Sequence, residues 1–326
     1  MKALILNEFN TPYQLQDIKK PVAGDGEVLV KIMASGINPL DLKIQAGQAA
    51  HAKAVLPAIL GIDLAGVVEA VGKGVTGFKI GDEVYGMTGG IAGVQGSLAQ
   101  YAAVDANLLA LKPTNLTMKE AAALPLIFIT AWEGLVDRAK VNKDKTVLIQ
   151  GGAGGVGHIA VQIAKAFGAK VFATVNPADF SLIKSYGATP IDYNLAVEDY
   201  VQQYTQGDGF DIILDTVGGA VLDASFKAAK QYTGHVVSIL GWGNHALAPL
   251  SFKGATYSGV FTLYPLISGK NREQHGDILR KATEMAENKQ LIPIMSQENY
   301  TLETIEDAYK AMANGKTKGK VVVSIQ

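Results

Sequence analysis

Residues 146–176 read TVLIQGGAGGVGHIAVQIAKAFGAKVFATVN. Thr146–Gln150 is a short apolar, β-rich run, the pattern of a strand buried on both faces. Gly152, Gly154 and Gly157 then satisfy G-x-G-x-x-G, with Gly155 and Val156 inside the motif. An apolar helix follows, with Ile159, Ile163 and Ala166 on one face and Val161, Ala164 and Phe167 beside it. Gly168 is placed to end it, and Lys170–Val175 is a second strand. The stretch is one βαβ unit.

A helix N-terminus binds a pyrophosphate through its free N–H groups and its dipole. In such a loop Gly152 serves the tight turn, Gly154 lets the backbone approach the phosphates, and Gly157 lets helix and strand pack closely. The motif alone is weak in a chain with 36 glycines, but its place between a strand and a helix favours dinucleotide binding over a structural turn. The residue ending the second strand, where an acid would hold an NAD ribose, is Asn176. A neutral side chain there does not repel a 2′-phosphate, which favours NADP(H) over NAD(H). No arginine lies between Arg138 and Arg272, so a 2′-phosphate would rely on Ser181, Lys184, Tyr193 or backbone donors. The plain reading of Lys184 is a solvated helix lysine, and that of Tyr193 a surface tyrosine.

The chain has 326 residues, enough for about two domains. It is 48% hydrophobic and 18% charged, as a globular protein with a large core would be. A net charge of −1 offers no basic field to nucleic acid and no polybasic patch to a membrane. With no cysteine, disulfides, thiolate catalysis and cysteine-ligated metal sites are excluded, and a reducing cytoplasmic setting is the expectation. The apolar run at Ala121–Trp132 contains Pro125 and is too short to span a bilayer. His51, His158, His235, His245 and His275 have no metal-ligand spacing.

Residues 1–112 are β-rich. Glu27–Ile32 alternates, and Gly66–Val75, Asp82–Met87 and Ser97–Val104 are further strands between glycine-rich turns, as in a small barrel. Thr117–Ala123 opens a helix with a capping Thr and Glu120 three residues on. Beyond Ala131 strands and helices alternate. Strands fall at Thr189–Asp192, Phe210–Asp215, His235–Leu240 and Thr256–Leu263, and helices at Asp179–Tyr186, Val197–Tyr204 and Ala220–Lys230. The pattern is an α/β fold with a doubly wound parallel sheet. Helices at Asp277–Asn288 and Thr301–Asn314 and a strand at Lys320–Ile325 fall outside the alternation and are expected to return to the first domain. The division expected is 1–121 with 264–326, and 122–263.

Several segments together carry a resemblance: SGINPLDLK (35–43), LPAILGIDLAGVVEAVG (56–72), GDEVYG (81–86), GSLAQYAAV (96–104), LPLIFITAWEGL (124–135), IQGGAGGVG (149–157), LDTVGG (214–219) and GKVVV (319–323). Nearly end to end, the chain resembles the zinc-independent quinone oxidoreductase and enone reductase branch (ζ-crystallin-like) of the medium-chain dehydrogenase/reductase superfamily. The resemblance implies a GroES-like catalytic domain, a Rossmann domain and a substrate pocket between them. It also implies an NADPH-dependent reductase of quinones or α,β-unsaturated carbonyls, and a homodimer through the sheet edge at Ala255–Val260. Zinc-dependent relatives hold Cys and His where this chain has Asn38 and Ile62, so no zinc is expected.

The resemblance turns Thr130 towards the nicotinamide, the alternative being a Thr closing a turn of an apolar helix. Ser238, Leu240 and Gly241 end the fifth strand, where α/β sheets bind ligands, and Phe261 and Thr262 end the sixth. Asn38 and Asp41 begin a short helix, where capping is the default role. Asn38 also stands at the former ligand position, which would point its amide at substrate. Lys43 matches the lysine of the enone-reductase-like members and is a candidate carbonyl polariser, against the plain reading of a solvated helix lysine. Asp63 is expected to anchor its loop. Two other readings stay open: a zinc-free reductase of a different carbonyl, and a non-catalytic NADPH-binding protein.

Overall fold

The computed structural model describes residues 1–315 and 317–325. It divides into two compact units, one made of Met1–Leu126 with Leu263–Gln326, the other of Ile127–Thr262.

The first unit begins with β1 (Lys2–Ile5), β2 (Gln14–Asp17), β3 (Glu27–Gly36), α1 (Pro39–Gln45), β4 (Asp63–Val71), β5 (Glu83–Met87), β6 (Tyr101–Asp105), β7 (Leu109–Leu111) and α2 (Met118–Ala122). β3 is the hub. It pairs antiparallel with β4 along almost its whole length, with register shifts at Leu29/Val30 and Ile32/Ala34, and with β6 through Glu27–Lys31. The alternation read at Glu27–Ile32 therefore marks only half of the strand. Met33–Gly36 stays extended through its long-range pairing, which leaves no local signal. At α2 the capping box forms: Thr117 N–H donates to Glu120 Oε2 (2.8 Å) and Glu120 N–H to Thr117 Oγ1 (3.3 Å).

α3 (Pro125–Trp132) leads into a π-helical stretch, Glu133–Arg138. The second unit continues with β8 (Thr146–Gln150), α4 (Gly155–Ala166), β9 (Lys170–Val175), α5 (Phe180–Ser185), β10 (Thr189–Asp192), α6 (Val197–Thr205), β11 (Ile212–Asp215), α7 (Ala220–Ala228), β12 (His235–Ser238), α8 (Ala248–Lys253) and β13 (Thr256–Gly259). All six strands are parallel, in the order β10-β9-β8-β11-β12-β13. This is the doubly wound order, reversing direction between β8 and β11. One layer of core packs Leu148, Phe172, Ile213 and Val236 of the sheet against Phe226 of α7 and Tyr200 of α6. The fifth and sixth strands end sooner than their apolar runs. β12 stops at Ser238 and β13 at Gly259, so Leu240, Gly241, Phe261 and Thr262 lie in the turns beyond the sheet.

The chain then adds α9 (Tyr264–Ser268), α10 (Arg272–Glu287), β14 (Tyr300–Thr301), α11 (Ile305–Ala313) and β15 (Val322–Ser324) to the first unit. β15 pairs antiparallel with β3, Val322 opposite Gly36. α10 is tied to β5 by the fully buried Tyr85, whose hydroxyl donates to Leu279 O (2.7 Å) and lies 3.0 Å from Thr283 Oγ1. Arg272 Nη1 meets Asp105 Oδ2 at 3.1 Å at the start of the same helix. No described helix is long and apolar enough to cross a membrane.

Tyr85→Phe deletes one buried hydroxyl and keeps the ring. Denaturant unfolding should show a loss of about 1 kcal/mol, the usual worth of one such bond. Cofactor affinity should not change.

Candidate active site

The glycine loop joins β8 to α4 in the second unit. Its one positive-φ residue is Gly151, at +75°. The turn thus rests on Gly151, one residue before the glycine that the motif assigns to it. Gly151 N–H donates to Thr174 Oγ1 (3.1 Å) and Gly152 N–H to Thr174 O (3.0 Å), which straps the loop to β9. A Cβ on Gly152 would lie 2.5 Å from Ala173 Cβ, and one on Gly157 only 2.1 Å from Gly151 O. Those two glycines are demanded by packing inside the unit. Gly154 differs. It sits at the N-cap of α4 with φ −72° and ψ 175°, a backbone any residue adopts. A Cβ there would meet only Gly151 O, at 3.3 Å. The space beside Gly154 is therefore a cradle that a side chain would fill. α4 supplies the free N–H groups of its first turn there, which suits an anionic pyrophosphate.

Beside the loop a groove of about 610 Å³ opens at the C-terminal ends of β8, β9 and β11. Gly154, Asn176 and Tyr193 line it with Val197, Tyr200 and Val217, and no charged side chain does. Its polar floor is fixed. Thr174 Oγ1 donates to Gln150 Oε1 (2.7 Å), Thr216 Oγ1 to Gln150 O (2.6 Å), and Gln150 Nε2 approaches Ser225 Oγ (3.3 Å). Asn176 is exposed, and its Oδ1 accepts from Ala178 N–H (3.0 Å). Tyr193 is 57% exposed. Ser181 and Lys184 are exposed on α5 and lie outside the lining.

At the end of β12, Ser238 is buried and its hydroxyl faces inward. It donates to Asp215 Oδ2 (2.7 Å) and accepts from Leu240 N–H (3.1 Å). Asp215 also accepts from Val217 and Gly218 N–H at 3.1 and 3.0 Å, so this buried carboxylate shapes the turn after β11. Leu240 is half-buried and Gly241 exposed. The buried Thr130 shares a 3.2 Å contact with Thr262, which donates to Glu133 Oε2 (2.8 Å) at the head of the π-helical stretch. Phe261 is 43% exposed.

In the first unit the structure gathers Asn38, Asp41 and Asp63 around a lysine, Lys320. Asn38 N–H donates to Asp41 Oδ2 (2.8 Å), which closes the first turn of α1. The Asn38 amide, expected to face substrate, turns inward instead. Its Nδ2 donates to Asp63 Oδ2 (3.0 Å) and its Oδ1 accepts from the Lys320 ammonium. Asp63 Oδ1 accepts from Leu126 N–H (2.8 Å), at the start of α3. Burial pushes the Asp41 carboxyl up to about 7, against the pull of the Asn38 N–H and of Lys320, and raises Asp63 in the same direction. Lys43 is exposed one turn further along α1 and borders an open groove of about 530 Å³ with Leu42, Ala46 and Glu306.

This donor set does not fit zinc. The Asn38 oxygen holds an ammonium, Ile62 is a buried hydrocarbon, and Asp63 is ion-paired. Among the described residues no group of three His, Cys, Asp or Glu could hold a metal.

Residues 24–114 match the family model of the alcohol dehydrogenase GroES-like domain, and residues 186–323 that of zinc-binding dehydrogenase. The 2-methylene-furan-3-one reductase of Solanum lycopersicum is 36% identical over 94% of this chain and 74% of its own length. The chain is a medium-chain dehydrogenase/reductase of the quinone oxidoreductase and enone reductase branch. The chloroplastic NADPH-dependent alkenal/one oxidoreductase of Arabidopsis thaliana is 33% identical over 99% of the chain and 79% of its own length. A crystal structure of an alcohol dehydrogenase superfamily protein from Novosphingobium aromaticivorans superposes with a TM-score of 0.98 at 52% identity, each chain covered completely. A medium-chain dehydrogenase/reductase of this branch is an oxidoreductase using a nicotinamide cofactor, and the Gly154 cradle and the adjoining groove fit that group.

Sequence reasoning missed Gly151, Gln150, Asp215 and Lys320. A polar Gln closing an apolar strand, and an Asp ahead of Thr-Val-Gly-Gly, were signals in plain view. Lys320 gave none, because its partners lie more than two hundred and fifty residues away along the chain.

Gly154→Val places a branched side chain in the cradle at a backbone conformation that valine adopts, its Cβ 3.3 Å from Gly151 O, a contact relieved by a shift of a few tenths of an ångström. NADPH affinity by fluorescence titration should fall by at least about tenfold, or about 1.4 kcal/mol. The melting temperature of the protein without cofactor should change little. Unaltered affinity would show that the pyrophosphate lies elsewhere.

Proposed function

We propose that this protein is an NADPH-dependent reductase of small α,β-unsaturated carbonyls, with quinones as a second substrate class, and that it works without zinc. The observation that carries this reading is the 36% identity, spread over 94% of the chain, to a reductase of a methylene-furanone. The uncharged end of β9 at Asn176 supports NADPH over NADH, since no acid there opposes a 2′-phosphate. The amide nitrogen of Asn176 and the hydroxyl of Tyr193 are the donors offered from this side of the groove. Ser181, Lys184 and backbone N–H groups would complete the set from α5.

A bound nicotinamide supplies hydride. In an enone the hydride reaches the β-carbon, the carbonyl oxygen takes up negative charge, and the α-carbon then collects a proton. The oxygen needs a donor already in place, because a preorganised donor costs no reorganisation when charge develops. With the Asn38 amide engaged in its cluster, we assign that donor to Lys43, the exposed ammonium of α1. Thr130, Leu240, Gly241, Phe261 and Thr262 are assigned to the nicotinamide end of the cofactor. The open edge of β13, with Tyr257 partly exposed, is the surface we assign to a homodimer.

Three measurements check these assignments. A screen of NADPH oxidation over enones, quinones and saturated aldehydes, on exhaustively chelated protein, should give turnover with the first two classes. Turnover that needs added zinc would contradict the reading, and NADPH binding without turnover would make the protein a carrier. Asn176→Asp should weaken NADPH binding and leave NADH binding nearly unchanged. Equal losses for the two would place the 2′-phosphate away from residue 176. Lys43→Met should cut enone turnover by about 10²–10³, the usual cost of one lost donor to an oxyanion. NADPH affinity should hold, and quinone reduction should suffer less, since quinones accept hydride more readily. Full enone activity in Lys43→Met would return the lysine to the solvated face of α1.

A further inference from the structure

Between β12 and α8 the chain runs as a largely exposed loop, residues 239–247, with Leu240 and Gly241 near its start. The beginning of the loop is held on the sheet. Ile239 N–H donates to Asp215 O (3.1 Å) and Leu240 N–H to the Ser238 hydroxyl (3.1 Å). A Cβ on Gly241 would lie 2.3 Å from the Tyr257 hydroxyl of β13. The end of the loop is held by α8, where Ser251 N–H donates to Leu247 O (2.9 Å). Between these anchors Trp242, Gly243 and Asn244 are exposed, and His245 turns back to the protein.

The His245 ring is half-buried and nearly perpendicular to that of Phe226 on α7, with centroids 6.4 Å apart. Both of its nitrogens are engaged. Nδ1 lies 2.9 Å from Asp223 Oδ1 on α7, and Nε2 lies 3.0 Å from the carbonyl oxygen of Trp242 in the loop. A carboxylate and a carbonyl only accept, so each bond needs a proton on the nitrogen that faces it. A neutral imidazole carries one N–H and makes one of the two bonds, whereas an imidazolium makes both. The ring therefore ties loop to helix in full only when it is charged.

The groups around the ring favour that charge. Asp223 faces it from α7 and Asp215 from the end of β11, and the loop adds the Trp242 carbonyl. Phe226 also meets Tyr257 of β13, their rings 5.8 Å apart. The hydrogen bond to Asp223 raises the ring above the ordinary histidine value, the Trp242 carbonyl acts in the same direction, and partial burial opposes both.

We propose that His245 is a positioning residue: as an imidazolium it clamps the loop after β12 to α7, and the loop loosens when the ring loses its proton. The loop presents Leu240 and Gly241, so the clamp makes the hold on the nicotinamide end of the cofactor depend on pH. That consequence rests on the assignment of those two residues to the cofactor above. A histidine raised on folding contributes in full below its unfolded value, near 6.5. The contribution is lost as pH rises through the folded value.

The test follows the wild-type protein, His245→Gln and Asp223→Asn from about pH 5.5 to about pH 9, a range that brackets the histidine value. Ring-nitrogen NMR, with the His245 signals identified by their loss in His245→Gln, should show both nitrogens protonated at the acid end and a titration above about 6.5. In Asp223→Asn that titration should move back towards the ordinary value. Backbone hydrogen exchange of residues 240–247 is read as the ratio of His245→Gln to wild type at each pH, which cancels the intrinsic pH dependence of exchange. The variant loop should exchange faster at low pH, by up to about tenfold for each unit by which the ring is raised. The ratio should fall towards one above the folded value. The ratio of NADPH dissociation constants for the same two proteins should follow the same curve.

A ring that titrates at the ordinary histidine value, an unmoved titration in Asp223→Asn, or an exchange ratio that is the same at every pH would overturn the proposal. If His245→Gln does not fold, the one ring that moves in Asp223→Asn identifies His245 and decides alone. An exchange ratio that falls with pH beside a flat NADPH ratio would keep the clamp and remove Leu240 and Gly241 from the cofactor site, so the two failures are told apart.

Discussion

The close fit of α4 against the turn that precedes it governs the second unit. Gly151 reverses the chain at positive φ, and its carbonyl lies where a Cβ on Gly157 would be. With Gly152 pressed on Ala173, these contacts fix the helix start relative to β8 and β9. They also leave Gly154 and Gly155 as the glycines of the motif without a strong internal demand, a Cβ there meeting Gly151 O at 3.3 Å and Ile127 Cγ2 at 3.6 Å. The protein itself leaves room beside Gly154, and that room is where a pyrophosphate could come close. The order of the sheet adds the second constraint, because it reverses between β8 and β11 and opens the groove beside the loop.

Much of this was legible in the sequence, and the boundary between what was and was not is physical. The βαβ unit, the capping box at Thr117 and the six parallel strands rest on local periodicity and local hydrogen bonds, which a sequence carries directly. The second half of β3 does not: Met33–Gly36 is extended because β15 and β4 pair with it, partners contributed by distant chain. The ends of β12 and β13 were overextended because the apolar runs continue after the ladder stops. Of the site, the glycines and Asn176 announced themselves by spacing. The inward turn of the Asn38 amide could not be foreseen, since it depends on a lysine brought in by the final strand.

The two units divide the chemistry by charge. The groove beside the glycine loop is lined by uncharged side chains, so a pyrophosphate bound there would be met by backbone N–H groups and the helix dipole. The Asn38 cluster instead concentrates two carboxyls and an ammonium out of water and spends its polarity inward. Such a cluster ties α1, β4, Leu126 and the segment ahead of β15 together through Asn38, Asp63, the Leu126 N–H and Lys320. With the Asn38 amide engaged in the cluster, Lys43 is the polar side chain that α1 leaves exposed, and the proposed donor role rests on it.

The most direct test of the account follows the hydride itself. NADPH carrying deuterium at its transferable position is turned over with a small α,β-unsaturated ketone, on chelated protein, and the product is analysed by NMR. The account predicts a saturated ketone with deuterium at the β-carbon and a solvent proton at the α-carbon. An allylic alcohol with deuterium on the former carbonyl carbon, or transfer that appears only when zinc is returned, would contradict it.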